Sequence, residues 1–227
     1  MKAYWSAQPN FGDCLTPFLF RQLCGLKLRH VKPAKAKLFA VGSVVERIPE
    51  GYQGFVYGTG RMFRHTPLNL STARVIALRG PLTLDGSGAE CELLADPGLL
   101  ICRLQTPQQL IKKKVGLLPH FIDKDLTDHH HGEYIDIESG VMKVIEATSA
   151  FECIKTSALH GLILCDALGI PSMWIPHPDV LGDGTKFEDY GGSFDESLEP
   201  NVWRMADQAR VKAKASKLFA GMKGIVG

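Results

Sequence analysis

Short apolar runs recur along this 227-residue chain, and most of them stop at a glycine, serine, arginine or histidine. Residues 37–45 (KLFAVGSVV) begin as a buried strand and run into Gly42-Ser43. Residues 54–60 (GFVYGTG) repeat the design and end at Gly58-Thr59-Gly60. Residues 73–78 end at Arg79-Gly80-Pro81, 114–118 at Pro119-His120, 150–155 at Thr156-Ser157, and 172–175 at Pro176-His177. Residues 134–137 read as a further short strand. Between these runs lie stretches of helical periodicity: 15–23, 140–147, 161–168 and 201–222. The last carries Val202, Met205, Ala206, Ala209 and Ala213 on one face. Strands alternating with helices predict an α/β chain with a parallel sheet covered on both faces. In such sheets ligands bind beyond the carboxyl ends of the strands, which is where the polar and glycine-rich residues fall. The alternation comes in two sets, divided by the polar stretch 103–113 (RLQTPQQLIKK). The expected organisation is two Rossmann-like halves, residues 1–105 and 106–227, facing each other across a ligand cleft. The final helix can pack back on the first half.

Composition narrows the partners. Apolar residues make up 45% and charged residues 22%, close to the globular average, which excludes wholesale disorder. The formal net charge of +2 argues neither way about nucleic acid, and no nucleic-acid partner is expected. The first 110 residues carry 13 Lys/Arg against 7 Asp/Glu, so the first half is the better face for an anionic ligand. Six cysteines (Cys14, Cys24, Cys91, Cys102, Cys153, Cys165) show no CxxC spacing, and several sit in apolar runs as small hydrophobes. That usage points to the cytoplasm. No secretory leader is expected, because the chain passes through Lys2 and Trp5 to Asn10 and Asp13 at once. No apolar run approaches the roughly 20 residues that span a bilayer. Residues 159–174 are interrupted by His160, Asp166, Gly169 and Pro171.

Several clusters carry chemistry. Asn10-Phe11-Gly12-Asp13 precedes an apolar-periodic helix, where a glycine between polar residues presents backbone N–H groups to an anion or a sugar hydroxyl. Asp13 also fits as an ordinary N-cap. Arg79 stands at a strand end just before a proline-led helix, placed for a bidentate contact with phosphate or carboxylate, or for a surface ion pair. His160 lies in the first turn of a helix, where the dipole disfavours the imidazolium. A histidine near neutrality suits general acid–base work; a core histidine bonded to a carbonyl is the bland alternative. Lys186, in a Gly- and Asp-rich loop, is a phosphate ligand or a solvated side chain. His129-His130-His131 cannot all face one ion, and no HxxxH or HxH with a carboxylate follows, so the run reads as solvent-exposed and no metal is expected. There is no GxSxG, no P-loop and no complete GxGxxG.

Taken in order, these motifs resemble those of the polysaccharide pyruvyl transferase family, most closely its exopolysaccharide ketal-pyruvate transferases. The match runs through NFGD, VGS, YGTG, RGPLT, ADPGLL, VGLLPHFID, TSALHGLI, ALGIP and KFEDY. The chain is short for the family, which implies trimmed loops or a trimmed N-terminal region. The resemblance implies a fold like that of GT-B glycosyltransferases. It also implies phosphoenolpyruvate as donor, a hexose of a surface glycan or its lipid-linked precursor as acceptor, and no cofactor. Its phosphoenolpyruvate ligands, an arginine, a histidine and a lysine, fall on Arg79, His160 and Lys186, with His160 as proton donor. Asn10, Asp13, His120, Ser157 and Gly161 complete the expected substrate site. Many members carry arginine two residues before the histidine. Here that position is Ala158, so either one anion contact is absent or Arg61 or Arg64 after YGTG supplies it. Two other classes remain open on the same fold: a glycosyltransferase using a nucleotide sugar, and a non-catalytic glycan-binding protein. From Arg210 onward the chain carries five basic residues and no acidic one, beside Leu218, Phe219, Met222 and Ile225. This tail is expected either to pack as the last helix of the fold or to make weak, salt-sensitive contact with an anionic inner leaflet.

Overall fold

The computed structural model describes residues 1–105, 112–123 and 130–227 of a mixed α/β chain. Most of the stretch expected to divide the halves, and His129 of the histidine run, lie outside the described residues. In the first half β1 (Lys2–Ala3) leads through α1 (Phe11–Cys24) to β2 (Arg29–His30), which pairs with β1 in parallel. Strands β3 (Leu38–Phe39), β4 (Phe55–Tyr57) and β5 (Arg74–Ala77) form a parallel three-stranded sheet. A parallel bridge between Tyr4 and Phe39 sets β1 beside β3. No α-helix crosses from β3 to β4 or from β4 to β5, so the alternation expected there is broken, with a short 3-10 turn at Val45–Arg47 instead. The four-residue helix α2 (Pro81–Leu84) follows β5.

In the second half β6 (Lys113–Leu118), β7 (Glu133–Tyr134), β8 (Phe151–Thr156) and β9 (Ser172–Trp174) run parallel, and β10 (Trp203–Arg204) closes one edge antiparallel, in the order β10-β9-β8-β6-β7. The register Leu118↔Thr156 ends β6 and β8 together, and the Ser157 hydroxyl accepts the His120 N–H at 2.9 Å. Helix α3 (Val141–Ser149) precedes β8. Helix α4 (Leu159–Leu168) follows it, apolar all round and buried from Gly161 to Ala167. A helix without a polar face belongs in the interior. One continuous apolar cluster takes Phe11, Leu38 and Tyr57 from the first half, Leu118, Ile154 and Ile163 from the second, and Leu218 and Met222 from the C-terminal helix.

Three helix boundaries differ from the sequence expectation. Helix α1 starts at Phe11 rather than near Leu15 because Asn10 caps it. The Asn10 side chain accepts the Asp13 N–H at 3.1 Å and donates to the Asp13 carboxylate at 2.7 Å. Asn10, not Asp13, is therefore the N-cap, and Asp13 sits in the first turn at the positive end of the dipole. Lys186 is not on a loop but on α5 (Thr185–Gly192). Residues 203–204 form β10, so helix α6 (Gln208–Val226) begins only where Asp207 accepts the N–H groups of Ala209 and Arg210. Val202 and Met205 are exposed, and the buried face of α6 is Val211, Ala215, Leu218, Met222 and Ile225. The Tyr57 hydroxyl donates to the Leu218 carbonyl at 2.7 Å, tying α6 to the first-half sheet. Leu218, Met222 and Ile225 thus face the core, and Phe219 lies beneath the Arg103 and Lys223 cations, which removes the apolar surface expected for a membrane-seeking tail. No helix among the described residues is long and apolar enough to cross a membrane.

Between the halves, Arg79 and Asp189 form a fully buried ion pair, Nε to carboxylate at 3.1 Å. Thr83 completes it: its N–H and hydroxyl donate to the same carboxylate at 2.8 and 2.6 Å. Gly80 lies against the Asp189 carbonyl so closely that any side chain there would overlap it. RGPLT and KFEDY are thus two sides of one joint. Breaking a buried pair leaves an uncompensated charge, so Asp189→Ala is expected to lower unfolding free energy by about 3–5 kcal/mol in urea titration. A loss below about 1 kcal/mol, the scale of an exposed pair, contradicts this reading of the joint.

Candidate functional site

A cavity of about 300 Å³ opens beyond the carboxyl ends of β3 and β6, against the N-termini of α1 and α4. It gathers Asn10, Asp13, His120, His160 and Lys186 from the residues singled out in the sequence, and adds Arg47 and Ser43.

His160 is the second residue of α4. Its ring packs against Gly12, where a Cβ would meet the imidazole Nδ1 and Cγ, so the glycine of NFGD leaves the space the histidine occupies. Nε2 is buried without a hydrogen-bond partner and points to Asp96 Oδ2 at 3.7 Å. Asp96 is wholly buried; its Oδ1 accepts the Gly98 N–H at 2.8 Å, while Oδ2 has no partner. The carboxylate therefore favours a proton on Nε2, and Nδ1, beside Gly12 on the cavity wall, is the nitrogen left to exchange protons with a ligand.

Burial sets the other charges. Desolvation pushes the Asp13 carboxyl above its ordinary range, against the opposing pull of its Asn10 hydrogen bond and of the His160 and Lys186 charges. Lys186 is brought down to about 8, first by burial and then by the Arg79 guanidinium, with Asp13 acting the other way. Its ammonium donates to the Leu181 carbonyl at 2.7 Å. His120 is brought down to about 4 by burial and by Lys186, His160 and His177. Its Nδ1 faces the Ile122 N–H, so at neutral pH it is an uncharged Nε2–H donor. Arg47 is exposed at the rim and makes no ion pair with any described residue. The cavity combines a guanidinium and a buried ammonium for an anion, a carboxylate for a hydroxyl proton, and a histidine presented through one nitrogen.

Other expected residues lie elsewhere. Arg79 does not line this cavity: its guanidinium bonds Asp189, the Ser43 hydroxyl and the Arg61 carbonyl, so it reaches the ligand space only through Ser43. Ser157 holds His120 in place and borders a second, smaller cavity. Gly161 packs against Thr156, letting α4 start close to β8. Arg61 does not stand in for the arginine absent at Ala158; it is buried among the carbonyls of Leu82, Arg64, Thr66 and Asp85. Arg64 pairs with Glu188 on the surface. His130 is half-buried and His131 exposed, and no cluster suited to a metal ion occurs among the described residues. Asp96 and Arg47 escaped the sequence reading. The ADPGLL motif marks Asp96, as an acidic residue before Pro-Gly, but nothing in the chain links it to a histidine 64 positions on. Arg47 sits in VVERIP with no local signal at all.

The chain is 28% identical, over 96% of its length and 72% of the other protein's, to the succinoglycan biosynthesis protein ExoV of Rhizobium meliloti (strain 1021). It is also 31% identical to the uncharacterized protein L143 of Acanthamoeba polyphaga mimivirus, over 43% of this chain and 38% of that one. No family model matches the chain, and no solved structure matches it.

Because Lys186 carries its charge below about pH 8 and loses it above, an anion held by this ammonium binds fully below that value and is released as pH rises through it. Calorimetric affinity for sulfate, a probe anion of constant charge over this range, is expected to be flat from pH 7 to about 8 and then to fall by up to about tenfold per pH unit. An affinity unchanged until above pH 10, the range of an ordinary lysine, contradicts the assignment.

Proposed function

We propose that this chain transfers the pyruvyl group of phosphoenolpyruvate to two hydroxyls of a hexose, in a surface polysaccharide or its lipid-linked precursor, to form a pyruvate ketal. Similarity to the succinoglycan protein supports a role in exopolysaccharide biosynthesis and a glycan acceptor. The observation that carries the finer reading is the convergence of His160, Lys186, Asp13 and Arg47 on one cavity. On this reading the two halves of the chain form a GT-B-like pair working at the cytoplasmic side of the membrane.

In the proposed reaction Lys186 and Arg47 hold the phosphate and carboxylate. The joint residue Arg79 acts through Ser43 and through the helix that carries Lys186. His160 Nδ1 gives its proton to the methylene carbon of phosphoenolpyruvate, and positive charge develops at C2. One sugar hydroxyl adds to C2, inorganic phosphate leaves with its C–O bond electrons, and the second hydroxyl closes the ketal. Of the two hydroxyl protons, one returns to His160 and the other departs on phosphate, with the Asp13 carboxylate as the nearby acceptor. Asp96 steadies the imidazolium when His160 is protonated and keeps Nδ1 turned to the substrate. Arg47 takes the place of the arginine that Ala158 lacks.

Phosphate release from phosphoenolpyruvate against a panel of lipid-linked and synthetic glycans tests the reading. His160→Asn is expected to fold normally and to lose about 10²–10⁴-fold in turnover. Arg47→Ala is expected to weaken phosphoenolpyruvate binding by roughly 1.5–3 kcal/mol. Near-normal turnover in His160→Asn, or a cavity indifferent to phosphoenolpyruvate, contradicts it.

A further inference from the structure

A second cavity of about 250 Å³ opens at the carboxyl ends of β8 and β9. Its floor is aromatic: Trp174 stacks on Phe187 with ring centroids 4.3 Å apart and planes 20° from parallel. Phe187 is buried, so the stack backs the half-buried indole of Trp174, which lines the cavity. Ser157 and His177 stand at the walls. The Ser157 hydroxyl accepts the His120 N–H, which leaves its own proton for donation. His177 Nδ1 accepts the Asp179 N–H and Nε2 faces Asp123 at 3.6 Å, so the ring is held by two neighbours and serves as a fixed wall. Lys186 and Leu181 line both this cavity and the larger one, and the Lys186–Leu181 hydrogen bond is the partition between them.

We infer that the second cavity is a subsite for an uncharged pyranose ring, the acceptor hexose or its neighbour in the glycan, seated on Trp174 and set against the anion site across Lys186. The inference rests on the proposed pyruvyl transfer for its link to the acceptor, but the sugar site itself stands on this geometry. An aromatic face bordered by fixed hydroxyl and imidazole groups suits a ring with one apolar C–H face and an equatorial belt of hydroxyls. The electrostatics argue against a nucleoside diphosphate in the same place. Lys186 is the one ammonium or guanidinium lining the cavity among the described residues. The start of α5 is already occupied: Asp183 accepts the N–H groups of Thr185 and Arg64 at 3.1 and 2.9 Å. Burial acts to raise this carboxyl, but the hydrogen bonds prevail and hold it down to about 2, so a negative charge stands between Gly182 and Gly184 of the cavity rim and disfavours a diphosphate there.

Protein-observed NMR of the three tryptophan indoles decides the matter, with methyl glucopyranosides, methyl galactopyranosides, phosphoenolpyruvate and uridine diphosphate as probes. In the unaltered protein, millimolar methyl hexosides are expected to shift the Trp174 indole resonance and leave Trp5 and Trp203 in place. Trp174→Ala is expected to weaken hexoside binding about tenfold or more, with phosphoenolpyruvate affinity within about twofold of the original. Trp174→Phe, which keeps the stack on Phe187, is expected to fall between the two and guards against a folding defect. No Trp174 response to any hexoside overturns the inference. So does equal hexoside affinity in the alanine variant, or displacement of hexoside from Trp174 by uridine diphosphate. Phosphoenolpyruvate binding without a Trp174 response sinks the sugar subsite alone. A Trp174 response without phosphoenolpyruvate binding sinks pyruvyl transfer and leaves the sugar subsite standing.

Discussion

The buried Arg79–Asp189 pair is the interaction on which the geometry of the site depends. It joins the turn after β5 to the helix that carries Lys186, two segments 110 residues apart in the chain. A buried ion pair contributes little net stability by itself, because desolvating both charges costs about what their attraction returns. What it supplies is specificity of arrangement. The carboxylate takes one bond from the arginine and two from Thr83, so α5 can dock in only one rotation. That rotation aims Lys186 into the cavity one turn away, and the closeness of Gly80 to the Asp189 carbonyl leaves no slack. The same guanidinium then reaches Ser43 on the cavity wall and, through space, lowers the proton affinity of Lys186.

Within the cavity, burial divides the titratable groups by function. It neutralises His120, which becomes a donor of fixed polarity. It brings Lys186 near neutrality, so the ammonium is charged at physiological pH yet poorly solvated and therefore responsive to an anion. It lifts Asp13 toward protonation without removing the hydrogen bond from Asn10. His160 has a different device: a buried carboxylate oxygen behind one nitrogen and a missing Cβ in front of the other. The orphaned Oδ2 of Asp96 and Nε2 of His160 face each other at 3.7 Å, each the other's nearest answer to an unsatisfied buried polar group, a costly state.

Much of this was legible in the chain. The runs that end in Gly42-Ser43, His120 and Ser157 marked the carboxyl ends of strands, and the two cavities lie there. NFGD and ALHGLI stand out as motifs in the chain, and in the fold they meet through Gly12 and His160. What the chain hid were relations over distance. A conspicuous arginine after a strand reads alike whether it meets a phosphate or a carboxylate 110 residues on, and Arg79 meets the carboxylate. Lys186 looked like a loop residue because α5 is eight residues long and follows two glycines, with no room for an apolar period to show. The C-terminal helix was drawn too long because Val202 and Met205 fit a helical spacing by chance. The start is set by Asp207, the N-cap, after β10 has paired on β9.

The central claim is that a proton passes from His160 to the methylene carbon of phosphoenolpyruvate while the sugar takes C2. Running the reaction in deuterium oxide with a glycan acceptor and following the product by NMR and mass spectrometry tests it directly. The account predicts a ketal whose methyl group carries a single deuteron, formed in step with one inorganic phosphate per acceptor. An acceptor that retains the methylene group as an enol ether, or phosphate released with no change in the glycan, would contradict it.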